Sequence, residues 1–323
     1  MATVLQSSIA GRLAVHDPTC DRTLRMLLDQ TVEQLLHNDI SRLDDFVDYL
    51  NAIRLSRSAT EWRALIADVI EPHGVLGFLH EEPLMRRAYE KPRGYPGDAP
   101  LLDLIYGDIP YNGDITALGA QLHRWAGTHS GFRSVRERRQ ILAALYDRVA
   151  AERPMPRILS LACGHLREAQ HSQAACAGGV SEIVAVDQDQ LSLNLIAREQ
   201  TASPITTIRS SIRRMLVDPT VYGSFDLAYA AGLYDYLEEP VAQRLTASMF
   251  DALRPGGTLL VANFAPSLRE IGYMEAVMHW NLIYRDESEV ERFASEIPRD
   301  AIADMSMTRD GGGTVVYLTV KKC

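Results

Sequence analysis

The stretch from Arg157 to Glu168 constrains this chain more than any other. An apolar run (Ile158, Leu159, Leu161, Ala162) ends in the small-residue turn Ala162-Cys163-Gly164, and polar residues follow. A buried parallel strand entering the N-terminus of a helix has this pattern, and the glycine lets backbone pass close to a ligand. Roughly 20 residues later, Glu182 to Asp187 reads as a second strand ending in an acid, which at that offset can accept hydrogen bonds from both hydroxyls of a ribose. Together the two strands read as a nucleoside-binding βαβ unit.

Strands and helices alternate from there on, implying a parallel sheet with helices on both faces. Ile205 to Ser211, Phe225 to Gly232 and Thr258 to Pro266 are the next strand candidates. Glu238-Glu239-Pro240 opens a helix, because acids suit its positive end and proline its first turn. Val241, Leu245, Met249 and Leu253 line the inner face of that helix, and Arg254 to Gly257 ends it. Asp310 to Gly313 joins two final strands as a hairpin.

The first half is helical. Leu24, Leu28, Val32, Leu35 and Leu36, then Leu43, Phe46, Val47, Leu50 and Ile53, recur at helical spacing and predict helix over 21–56. Ser58 and Glu61 have capping-box spacing before a helix carrying Trp62, Leu65, Ile66 and Val69, which Pro72 and Gly74 stop. Two prolines and two glycines between Lys91 and Asp98 fix a shaped loop, readable as a lid or as a plain connector. A further helix over 132–151 buries Phe132, Val135, Leu142, Leu145 and Val149, with Arg133, Arg136, Arg138 and Arg139 as its solvated face. Pro154 and Pro156 mark the boundary before the central strand.

Composition narrows the functional classes. A chain of 323 residues, 46% hydrophobic, suits one large domain or a domain with an accessory cap. Its net charge of -9 makes a nucleic-acid partner a poor expectation. The four cysteines show no paired spacing, so a reducing cytoplasm is expected, with neither disulfides nor a structural metal. The first ten residues lack the build of a signal peptide, and no apolar run approaches the ~18 residues of a membrane span.

The order of parts from about Val135 to Lys322 resembles the class I S-adenosylmethionine-dependent methyltransferase fold. The glycine-containing first turn, the acid ending the second strand, the Phe225-Asp226-led fourth strand, Pro255-Gly256-Gly257 before the fifth and the last hairpin carry the resemblance. Ser160 replaces the acid usual in the first strand, Ala162 and Leu166 stand at two usual glycine positions, and Ser211 replaces a common acid after the third strand. A narrower resemblance rests on Lys91 to Asp98, on Leu161-Ala162-Cys163-Gly164 with Arg167-Glu168, and on Trp280 to Arg285. It points to a bacterial subgroup containing 3-hydroxy fatty acid methyl ester synthases and indole C3-methyltransferases of tryptophan-derived natural products.

The resemblance implies an α/β fold: a Rossmann-like class I methyltransferase sheet, six parallel strands plus one antiparallel, with an N-terminal helical cap. The expected division is a cap over 1–130 and an S-adenosylmethionine-binding domain over 131–323. Asp187 is expected on the ribose hydroxyls; Ala162, Cys163 and Gly164 offer backbone to the amino-acid end of the cofactor. Arg167 and Glu168 either orient that end or form a local ion pair. Gln188 would sit over the adenine, Ser211 and Ile212 on its other edge, and Ala231 with Gly232 would face the sulfonium.

For the acceptor, the candidates are Tyr234, Asp235 and Tyr236 after the fourth strand, and His279, Trp280 and Tyr284 with Glu275 and Arg285 in a helical insertion after the fifth. Tyr95 in the proline-glycine loop joins them. An indole carbon needs a base within reach of the ring N–H, whereas a carboxylate needs a cationic or hydroxyl anchor such as Arg93 or Arg285. No Asn-Pro-Pro-Tyr-like motif suggests base amino methylation, no metal-ligand spacing suggests magnesium chemistry, and Gly164-His165-Leu166 is not a dinucleotide turn. The expectation is therefore an enzyme that methylates a small specialised metabolite, an indole ahead of a fatty-acid carboxylate. It would work without nucleic acid or membrane, with a homodimer left open. The rival is a catalytically silent cofactor-binding module.

Overall fold

The apolar runs become one seven-stranded sheet with strand order β3-β2-β1-β4-β5-β7-β6. The computed structural model describes residues 18–107, 113–200 and 204–323. The signal-peptide reading of the first ten residues lies outside them. The strands are β1 (Arg157–Leu161), β2 (Glu182–Asp187), β3 (Ile205–Arg209), β4 (Phe225–Ala230), β5 (Leu253–Phe264), β6 (Ile302–Arg309) and β7 (Val315–Lys322). β1 through β5 pair in parallel, β7 is antiparallel to both β5 and β6, and so β7 alone runs against the other six.

The helices used below are α1 (Pro18–Leu36), α2 (Leu43–Ser56), α3 (Ala59–Leu65), α4 (Ala99–Tyr106), α5 (Ser130–Glu152), α6 (Gln190–Glu199), α7 (Glu239–Asp251) and α8 (Ile271–Val277). The helix expected over 21–56 is two helices, α1 and α2, broken at residues 37–42 where Asn38 takes a positive φ. α3 begins with the expected capping box of Ser58 and Glu61. A π-helical turn, Ile66–Ile70, then continues it. α7 ends at Asp251, and the Arg254 to Gly257 stretch expected to terminate it lies instead in an irregular start of β5.

The described chain divides into two compact units, each discontinuous in sequence. One comprises residues 18–97, 113–129 and 269–281; the other comprises 98–107, 130–200, 204–268 and 282–323. The described chain passes between the two units five times.

The first unit is helical. α2 buries Leu43, Phe46, Val47, Leu50 and Ile53. It receives α8 so closely that a Cβ added to Gly272 would lie 2.6 Å from the carbonyl carbon of Leu50. Glu275 on α8 is buried and accepts from Trp62 Nε1 at 2.7 Å and from Arg54 at 3.2 Å.

The second unit is the sheet with its helices. β1, β2 and β4 are enclosed because both faces are covered, which explains their nearly continuous apolar sequence. α5 crosses this sheet, and Tyr146 on it meets Tyr229 on β4, hydroxyl to hydroxyl at 2.7 Å. At the N-terminal end of β4, Asp226 collects Arg153, Arg254 and the backbone N–H of Arg157. The Phe-Asp signature is therefore a structural clamp at the edge opposite the C-terminal strand ends. The order β3-β2-β1-β4-β5 reverses direction between β1 and β4. In open α/β sheets the ligand crevice lies at that switch point, beyond the C-terminal ends of the strands.

Candidate active site

The turn after β1 has the shape of a glycine-rich turn although two of its residues carry side chains. Ala162, Gly164 and Leu166 have φ of 55°, 54° and 51°, the left-handed region. For alanine and leucine that conformation is strained. Leu166 is offset by burial at 1% exposure, while Ala162 faces outward.

Asp187, at the end of β2, fixes this turn. Its Oδ2 accepts the Gly164 N–H at 2.8 Å and its Oδ1 accepts the Asp189 N–H at 2.9 Å. The Cys163 N–H donates to Val186 O at 3.1 Å, tying the turn to β2. Burial raises the Asp187 pKa, against the opposing pull of the Asp189 and Gly164 N–H groups. Gln188 and Ser211 are exposed beside it, and Ile212 is half-buried. Burial also pushes the Cys163 thiol well up, so it stays neutral and leaves only its backbone to offer a ligand.

Arg167 is committed to an ion-pair network. Its guanidinium forks onto Asp103 of α4 at 2.8 and 2.7 Å and reaches Glu199 of α6 at 2.9 Å. His165 Nδ1 shares the same Asp103 at 2.8 Å. Burial would raise the Asp103 pKa, but the hydrogen bonds of Arg167 and His165 bring it below the ordinary value. Glu168 points the other way, into the interior, and accepts from the Tyr229 hydroxyl. Burial raises its pKa despite that bond.

At the end of β4, Ala231 is buried and Gly232 exposed. Tyr234 is wholly enclosed: its hydroxyl meets Thr246 Oγ1 at 2.9 Å and its ring packs on Phe293 at 5.1 Å. It is a core residue between the sheet and α7. Asp235 is buried, and its Oδ1 accepts the Phe264 N–H at 2.7 Å. Burial pushes its carboxyl up to about 6, with Phe264, Arg138 and Arg285 pulling the other way. Arg285, expected as an anchor for a substrate carboxylate, spends its donors on Tyr234 O, Leu237 O and Asn263 Oδ1.

The solvated arginine face expected on α5 is corrected at two positions. Arg138 and Arg139 are 6% and 7% exposed. Residue 138 lies three after Val135 and four before Leu142, and residue 139 four after and three before, so both fall on the apolar stripe that the sequence displays. Arg139 stacks over the Tyr106 ring at 4.4 Å. The Arg138 guanidinium nitrogens lie 3.7 and 3.8 Å from where a Cβ on Gly232 would stand.

Of the remaining candidates, Tyr95, Glu275, His279 and Trp280 belong to the first unit, and Tyr236 and Tyr284 to the second. His279 was expected on a helix; α8 ends at Val277, and His279 follows with φ of 49°. Its ring stacks on Tyr89 at 4.4 Å, which in turn stacks on His80 at 4.6 Å. Its Nε2 lies 3.0 Å from Glu71 Oε1, and burial lowers its pKa. Met274, Met278 and Trp280 are core residues there, and Tyr95 is half-buried.

Among the described residues, no grouping of three or more His, Cys, Asp or Glu could hold a metal ion, and no helix is long and apolar enough to cross a membrane. The site residues fit S-adenosylmethionine: a small-residue turn with exposed backbone, a carboxylate on the adjacent strand end, and exposed small residues across the switch point.

Residues 158–257 match the family model for a methyltransferase domain, a span that begins in β1 and ends in β5. No curated protein matches the sequence. Among solved structures, a possible exported protein from Bordetella parapertussis matches over 96% of this chain and 99% of its own, 16% identical, with a TM-score of 0.57. Magnesium protoporphyrin IX methyltransferase from Synechocystis with bound S-adenosylhomocysteine matches over 68% of this chain and 92% of its own, 12% identical, with a TM-score of 0.46. Fold and domain match together define a Rossmann-like class I methyltransferase domain. The chain therefore carries a methyltransferase domain over residues 158–257.

Proposed function

We propose that this enzyme methylates C3 of an indole in a small tryptophan-derived metabolite, with Asp235 receiving the ring N–H proton. The observation that carries the reading is Asp235 itself. It is a buried carboxyl group three residues beyond Gly232 at the C-terminal end of β4, raised to about 6 by its surroundings. A carboxylate of that pKa is ionised at neutral pH and is a stronger base than an ordinary aspartate.

The cofactor's sulfonium supplies an already activated methyl group when bound. The protein's share is alignment and exclusion of water. Asp187 and the backbone of Ala162 to Gly164 hold the nucleoside and fix the direction of in-line transfer. Asp235 takes the N–H proton as electron density moves to C3. Its bond from Phe264 N–H keeps the carboxylate oriented.

A fatty-acid carboxylate would instead need a cation. Arg285 is occupied by carbonyl oxygens, so the ester reading loses one of the anchors assigned to it. A silent binding module would not need a raised carboxyl at this position. The unpaired cysteines Cys163, Cys176 and Cys323 suit a reducing cytoplasm.

The test compares tryptophan-derived indoles with their N1-methyl analogues, using methyl-labelled S-adenosylmethionine and product mass. C3-methylated product from the N–H compounds and none from the N1-methyl compounds is expected. Equal turnover of both would remove Asp235 as the base.

A further inference from the structure

The Tyr317 hydroxyl on β7 is buried, and among the described residues it has no hydrogen-bond partner. Leaving a hydroxyl dry and unpaired is costly unless a bound group completes it. The strand register shows which way the ring faces. Tyr229 on β4 points toward α5, where it meets Tyr146; it is level with Leu260 on β5, and Leu260 with Thr319 on β7. Side chains alternate along a strand, so Ala262 and Tyr317, themselves a register pair, share the α5 face two residues nearer the C-terminal end of β5.

The same strand ends hold the proposed base. Phe264, whose N–H fixes the Asp235 carboxylate, pairs with Val315, two residues from Tyr317. The charges acting on the phenol are those of Arg138, Asp310, Glu137 and Asp235. Asp310 accepts from Ser134 and from the N–H groups of Thr314 and Val315, and Glu137 accepts the Gly311 N–H. The acids around the phenol thus have donors of their own, and none of them takes its proton. Burial raises the pKa of Tyr317, so at neutral pH the group is an O–H donor.

We propose that Tyr317 determines specificity in the acceptor site, its hydroxyl donating to the carbonyl or carboxylate oxygen on the α-carbon of the tryptophan-derived substrate. The assignment rests on the indole reading and narrows it. The acceptor carries an acyl oxygen beside the indole, as tryptophan amides and dipeptides do, whereas bare indoles and tryptamines lack the group that Tyr317 recognises. Two residues of antiparallel strand span about 7 Å. That is the scale separating the ring N–H of a tryptophan, the atom Asp235 serves, from the carbonyl on its α-carbon.

The test uses the full chain, methyl-labelled S-adenosylmethionine and two acceptors that differ only in that group, N-acetyltryptophan amide and N-acetyltryptamine. Wild type should favour the amide by about tenfold or more in kcat/KM, as one hydrogen bond to a buried hydroxyl implies, and chiefly through KM. In Tyr317→Phe, which keeps the ring, that ratio should fall to near one while the urea midpoint holds or rises. A wild-type ratio already near one, which needs no variant to measure, would leave the hydroxyl to a buried water and overturn the assignment. A wild-type ratio retained in folded Tyr317→Phe, even with turnover of both acceptors lowered, would make Tyr317 structural and overturn it too. A wild-type enzyme that methylates neither these nor any other indole, while calorimetry shows it binding S-adenosylhomocysteine, would remove the indole reading itself, and the assignment with it.

Discussion

Asp187 Oδ2 accepts the backbone N–H of Gly164 at 2.8 Å, so the acid ending the second strand holds the turn that ends the first. One carboxylate thereby organises the turn, and in the proposed site it would also present acceptors to the ribose. Asp187→Ala should weaken S-adenosylhomocysteine binding by more than about tenfold, from lost acceptor bonds and a loosened turn. Calorimetry checks this, and a change below about threefold (~0.7 kcal/mol) would move the ribose site elsewhere.

Asp235 sets a pH dependence with a definite sign. Its folded pKa of about 6 stands above its ordinary 3.8, so the folded state holds the proton more tightly than the unfolded chain. Its contribution to stability is complete below about pH 4 and is lost as pH rises through 6. Asp235→Asn should flatten that part of the decline in urea midpoints between pH 4 and 7. In the same variant the acid limb of the rate profile near pH 6 should vanish, with kcat down by about a hundredfold.

Arg285 has a different purpose from the one its sequence context suggests. It is buried, and it bridges the segment after β4 to the end of β5 through Tyr234 O, Leu237 O and Asn263 Oδ1. Arg285→Met would leave those acceptors unsatisfied and should cost about 2–4 kcal/mol in denaturant unfolding. Soluble, fully stable Arg285→Met with only a raised KM would return it to the substrate.

Gly272 is required by packing. An added Cβ would stand 2.6 Å from Leu50 C and O and 2.7 Å from Asn51 N, all backbone atoms. Gly272→Ala should destabilise the helical unit by about 2 kcal/mol or more, since neither helix can yield locally. Thermal unfolding measures it.

Ala162 offers the opposite case. It holds a left-handed φ with its side chain exposed, so Ala162→Gly relieves strain without loss of packing. The expected result is unchanged or improved stability, by up to about 1 kcal/mol, and undiminished S-adenosylhomocysteine affinity. Leu166→Gly should destabilise, because that side chain is buried.

The sheet was legible because β1, β2 and β4 are covered on both faces, which writes their positions as unbroken apolar runs ended by Gly164, Asp187 and Gly232. The acceptor side was less legible for local reasons. Tyr234 opens a 3-10 turn, Tyr234–Tyr236, that directs its ring into the core, and nothing in the residue types announces that direction. His279 was expected in a helical insertion after the fifth strand, yet α8 stops at Val277. Arg138 and Arg139 were read by their charge, although their spacing from Val135 and Leu142 put them on the buried stripe. Charge and stripe position disagreed, and stripe position decided.

The central claim is a methyl transfer from S-adenosylmethionine to an indole carbon. The most direct measurement incubates the full chain with methyl-labelled S-adenosylmethionine and a mixed panel of indole dipeptides and 3-hydroxy acids, then locates the label by mass. Label on an indole carbon is the predicted result. Label as a methyl ester, or none at all while the cofactor demonstrably binds, would contradict it.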